Sequence, residues 1–154
     1  MGAARGRRHG EGALMRFEAG TEVAAEAGRV WAVLVDVERW PEWTPSVRRA
    51  RRGEAGPLAV GATARLEQPK LRPAVWRVTE LTDGVSFSWV SRNPGVSTLA
   101  EHRVLPLAAG RTRVDLVLTQ SGPLAGLVGW LYGDLTRRYL RMEADGLRRR
   151  CEQD

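Results

Sequence analysis

Lysine is almost missing from this chain, and so is cysteine: Lys70 and Cys151 are the only ones among 154 residues. One thiol cannot close an internal disulfide, which excludes the disulfide-stapled class of small domains and points to a reducing, cytoplasmic setting. The two histidines, His9 and His102, stand far apart without a Cys/His/carboxylate cluster, so no metal is expected. A Gly-rich phosphate loop and a Gly-x-Ser-x-Gly elbow are both missing, so neither a nucleotide cofactor nor serine hydrolysis is indicated. No run approaches the roughly 20 apolar residues that cross a bilayer. The longest candidate, 124–135, is interrupted by Gly126, Gly129, Gly133 and Asp134.

What is present describes one globular domain. A hydrophobic fraction of 43% and a charged fraction of 27% are ordinary for a folded protein, and the length suffices for a sizeable core. Residues 1–14, "MGAARGRRHGEGAL", are basic and glycine-rich and lack the apolar middle of a secretory signal; they read as a flexible basic tail ahead of a domain over 15–154. The net charge of +6 comes almost wholly from arginine. Its runs at 48–52, 137–138 and 148–150 read as solvated surface. No recognition helix or stacking platform accompanies them, so no nucleic acid is expected, and contact with anionic lipid headgroups would be weak and peripheral at most.

Periodicity supplies the elements. Residues 16–23 alternate, with Phe17, Ala19, Thr21 and Val23 on one face, as a half-buried strand requires. Residues 27–35 carry Val30, Trp31, Leu34 and Val35 at helical spacing, and a break follows near "WP" because proline disfavours helical geometry in the residue before it. Period two returns at 62–68, 74–81, 85–91, 98–105 and 113–120, separated by the turn-forming "LTDGV", "SRNPGV" and "PLAAGR", which predicts an antiparallel meander. From Pro123 to about Arg150 one long helix is expected. Leu124, Val128, Leu131, Leu135, Tyr139 and Met142 form one apolar stripe, and Leu140, Ala144, Leu147 and Cys151 a second.

Alternation also assigns faces. Leu66, Gln68, Trp76, Val78, Val85, Phe87 and Trp89 share the inward side, opposite Arg65, Glu67, Arg77, Thr79, Ser86 and Ser88. Glu101 and Arg103 flank His102 and send it inward with Ala100 and Val104. Val114, Leu116, Leu118 and Gln120 join them from the last strand.

The stretches "VWAVLVDVERWPEW", "WRVTEL", "FSWVSRNPG", "AEHRV", "GRTRVDLVLTQSGPL" and "LTRRYLRMEADGL", in this order, resemble the START/Bet v1-like (SRPBCC) superfamily, in particular its polyketide cyclase/dehydrase-type subgroup. The resemblance covers nearly everything from Met15 onward. It implies an α+β helix-grip fold: a curved antiparallel sheet wrapped around a long C-terminal helix, with two short helices after the first strand. It also implies an apolar cavity between sheet and helix for a lipid- or polyketide-like molecule. Trp40 and Trp43 would then lie in the second short helix as core plugs whose indole N–H groups meet backbone, with Trp43 also at the cavity mouth.

Ligand contacts are accordingly expected from Leu66, Gln68, Trp76, Val78, Phe87, Trp89, Ala100, His102, Leu116, Leu118 and Gln120 on the sheet, and from Leu131 and Leu135 on the helix. His102 reads either as a satisfied core residue or as a ligand contact, and as the one catalytic candidate if the protein is a cyclase, aromatase or dehydratase. No second acid or base is evident on the inward face. The four glycines Gly122, Gly126, Gly129 and Gly133 suggest a locally weak helix start or a close approach to "WPEW". Three functions are carried forward: a small-molecule binder, a polyketide-type enzyme, and an arginine-rich interaction module, each as a monomer or homodimer.

Overall fold

The computed structural model describes residues 14–153. The expected tail lies outside the described residues except for Leu14, and His9 lies outside with it. Strand β1 (Met15–Val23) leads into α1 (Ala27–Val35), a 3₁₀ turn (Val37–Glu42) and a short β2 (Arg49–Arg52). Then come β3 (Thr63–Glu67), β4 (Ala74–Thr82), β5 (Ser86–Asn93), β6 (Val96–Ala108), β7 (Arg111–Ser121) and α2 (Ala125–Glu152). The strands form one curved sheet in the order β1-β7-β6-β5-β4-β3-β2, antiparallel throughout. Consecutive hairpins build β2 to β7, and β1 joins the far edge beside β7. With α2 across the concave face, this is the helix-grip architecture.

The crossover after β1 owes its course to its tryptophans. Val30, Trp31 and Leu34 are the buried face of α1, and Trp31 Nε1 donates to Asp83 Oδ1 at 3.1 Å, tying the helix to the β4–β5 turn. Trp40 is buried in the 3₁₀ turn and donates its indole N–H to the Leu34 carbonyl at 3.0 Å. Trp43 departs from expectation. It follows the 3₁₀ turn rather than lying in it, and its Nε1 has no protein partner.

Three other expectations are corrected. The "RRARR" run contains an edge strand: Ala50 is buried against the sheet while Arg49 and Arg51 remain exposed, so the solvated charge masks a two-residue period too short to recognise. Val85 is not inward. It belongs to the tight turn after Asp83, where Gly84 adopts φ +74°, and it is 44% exposed. Ser88 does occupy the outward register, yet it is buried because its short side chain lies between Glu80 and Glu101 on the neighbouring strands.

Helix α2 packs through small residues. A Cβ on Gly129 would lie 2.7 Å from Met15 and one on Gly133 3.6 Å from Phe17, so these glycines bring the helix close to β1. The approach to "WPEW" occurs elsewhere, at Gly146, where a Cβ would lie 2.0 Å from the Trp43 carbonyl oxygen. The second stripe, Leu140, Ala144, Leu147 and Cys151, is fully buried. The end of the helix is bolted down: Arg29 Nε donates to the Cys151 carbonyl at 2.8 Å, and Glu152 accepts from the Ala24 N–H at 2.9 Å. No described helix is long and apolar enough to cross a membrane.

Candidate functional site

Between α2 and the concave face of β3 to β7 lies a cavity of about 910 Å³, within the range of small-molecule sites. Its sheet wall is made by Leu66, Gln68, Trp76, Trp89, Ala100, His102, Leu116, Leu118 and Gln120, with Trp40 from the crossover. The helix contributes Val128, Tyr132, Thr136, Tyr139, Leu140 and Glu143. Exposed loop residues 70–73, together with Asn93 and Pro94, form the rim. Tyr139 fastens that rim by donating its hydroxyl to the Pro69 carbonyl.

Five of the expected contact residues lie outside this cavity. Val78 and Phe87 are inward as alternation requires, but they sit beyond its closed end. Phe87 is wedged between Trp31, 6.3 Å away edge-on, and the stacked His102 ring at 4.2 Å. Trp43 borders a separate groove with Gly146 and Arg149. Leu131 is 58% exposed, because one residue along a helix is a 100° turn away from cavity-facing Tyr132. Leu135 is partly buried without reaching the cavity.

The wall is aromatic and interlocked. Trp89 stands 5.6 Å from Trp76 and 5.3 Å from Trp40, centroid to centroid, which holds both large rings in one orientation. Polar groups interrupt it at a few points. His102 is 3% exposed, and its Nδ1 lies 3.3 Å from the Phe87 carbonyl oxygen. A carbonyl only accepts, so Nδ1 carries the hydrogen and Nε2 faces the other way. There it meets Glu143 Oε1 at 3.3 Å. An imidazole nitrogen thus stands opposite a carboxylate oxygen. The approach lacks hydrogen-bond alignment, and Oε1 remains a buried acceptor without a proper partner.

Glu143 is therefore the acid/base group absent from the inward face of the strands, because it comes from the helix. Its position three residues after Leu140 and four before Leu147, both buried, was the available signal. Two further buried atoms, Trp76 Nε1 and Gln120 Oε1, belong to residues that line the cavity and also lack a hydrogen-bond partner in the protein. Among the described residues, no group of three or more His, Cys, Asp or Glu could hold a metal ion.

Comparison with known proteins accords with this architecture. The chain superposes on the Zhui aromatase/cyclase from Streptomyces sp. R1128 with a TM-score of 0.74 at 21% identity, covering 91% of this chain and 94% of that one. A START superfamily protein from Mycobacterium smegmatis gives a TM-score of 0.71 at 19% identity, with coverage of 90% and 97%. Norcoclaurine synthase from Thalictrum flavum gives 0.71 at 15%, with coverage of 97% and 96%. At these identities the likeness is one of fold. No curated protein matches in sequence. The family model described as "Polyketide cyclase / dehydrase and lipid transport" matches residues 15–152, and the chain belongs to that family, within the START/Bet v1-like superfamily.

Proposed function

We propose that the protein binds a small amphipathic molecule, lipid- or polyketide-like, in the cavity between sheet and helix. One observation carries the reading: Trp76 Nε1, Gln120 Oε1 and Glu143 Oε1, three buried polar atoms of residues that line a single cavity, have no hydrogen-bond partner in the protein. A buried polar group left unpaired costs about 1–3 kcal/mol. A fold tolerates three together where a guest completes them. The guest is then no pure hydrocarbon: it presents an acceptor to the Trp76 N–H and a donor to Glu143, while its apolar body lies against Trp89, Leu66 and Leu116.

Native mass spectrometry and quenching of cavity tryptophan emission, across a panel of hydroxylated aromatics, polyketide analogues and fatty acids, test this reading. Saturable binding is expected for oxygenated ring compounds, and Leu118→Trp, which fills the cavity from a half-buried position, should abolish it. Undiminished binding by that variant would overturn the reading.

The His102–Glu143 pair favours a second reading, an enzyme that moves a proton to or from a carbonyl-containing guest, as a cyclase or dehydratase would. Glu143→Gln preserves size and removes the carboxylate. If the pair is catalytic, that variant binds the guest and does not turn it over; equal turnover would leave binding as the whole function.

A further inference from the structure

The outer face of the first turns of α2 is apolar where a lone soluble domain would be polar. Trp130 is 80% exposed, Leu131 58%, Leu127 52% and Leu124 44%. This patch adjoins the cavity entrance. Val128 and Tyr132 of the same turns line the cavity, and the Leu124 N–H donates to the Gly95 carbonyl at 2.9 Å, joining the helix start to the hairpin tip on the rim. Leu71, 37% exposed, is on the facing rim loop between Lys70 and Arg72.

Charge surrounds the patch with one dominant sign. Lys70, Arg72, Arg92 and Arg138 are exposed, and among the described residues none of them forms an ion pair. Arg138 follows Leu127 and Leu131 on one helical face, at i+11 and i+7. The acidic residue on that face, Asp134, is within 3.3 Å of Arg137.

We propose that this end of the molecule docks on an anionic lipid bilayer, with Trp130, Leu127 and Leu131 at the acyl boundary and the unpaired cations at the phosphates. An exposed indole beside leucines, rimmed by basic side chains, suits the bilayer interface. A second copy of the chain suits it poorly, since pairing this face with itself would bring the same four cations together. Docking there sets the cavity entrance against the membrane, so an amphipathic guest passes between bilayer and cavity without crossing water. The proposal does not require the cavity to be occupied: guest-free protein and Leu118→Trp should bind vesicles alike.

The other five tryptophans are at most 8% exposed, so quenching by brominated phosphatidylcholine reports on Trp130. The full chain should partition onto vesicles containing phosphatidylglycerol far better than onto phosphatidylcholine alone, with bromine quenching that Trp130→Ser removes. Arg72→Gln and Arg138→Gln should each weaken partitioning about fivefold, as expected for one cation near an anionic surface. These positions are exposed, so circular dichroism should show unaltered folding; if Trp130→Ser does not fold, wild-type quenching decides the matter. Equal partitioning onto neutral vesicles, absence of quenching, or a vesicle-free dimer dissolved by Trp130→Ser would overturn the proposal.

Discussion

His102 and Glu143 face each other at 3.3 Å, both largely shielded from solvent, and the imidazole is held by stacking on Phe87 and by the Phe87 carbonyl. Such a pair is poorly optimised for stability: the 3.3 Å contact is misaligned and one carboxylate oxygen is unsatisfied. Glu143→Leu removes that oxygen and is expected to stabilise the protein by about 1 kcal/mol in urea unfolding, while weakening affinity for the guest. A loss of stability instead would mean that the carboxylate serves the fold and not the site.

Helix α2 is held unequally along its length. Its last turns are clamped by Arg29, Glu152 and the Arg150–Glu42 pair at 3.0 Å, whereas its first turns expose their leucines. Gly146 sits within the clamped part. Glycine to alanine within a helix ordinarily stabilises by about 1 kcal/mol, but here the added methyl meets backbone at 2.0 Å. Gly146→Ala should therefore destabilise, by about 1–3 kcal/mol as overpacking does. Gly28→Ala in α1 is the control: nothing lies within 4 Å of its Cβ position, and it should stabilise by about 0.5–1 kcal/mol. Urea midpoints that move the same way for both would refute the close helix–turn contact.

The molecule as a whole has a closed end and an open end. At the closed end Cys151 is buried beside α1, and burial pushes its thiol up from the ordinary 9.0 to about 11. The unfolded chain thus loses this proton at lower pH than the folded one, so stability should fall as pH rises from 9.0 to about 11. Cys151→Ala should flatten that part of a pH–stability profile; an unchanged slope would show that the thiol is not sealed. The open end carries the cavity mouth, the apolar patch and the unpaired cations, which is where exchange with a membrane would have to occur.

Period-two alternation placed the inward side chains of β3 to β7 because a pleated strand leaves only two directions, and flanking charges such as Glu101 and Arg103 settled which one His102 takes. It could not tell how far along the concave face the packing closes, so Val78 and Phe87 looked as available as Trp76 and Trp89. Along α2 the errors were angular: two apolar stripes were visible, but only packing against β1 decided that glycines face the sheet and that Leu131 turns outward. Glu143 had legible spacing and still no legible partner. Fold class, the element order and the inwardness of His102 were thus local properties, set by side-chain period and turn chemistry. The cavity's extent, the His102–Glu143 contact and the exposed patch beside the mouth were decided only when residues about forty positions apart or more were brought face to face, a choice made by three-dimensional packing, which no local pattern encodes.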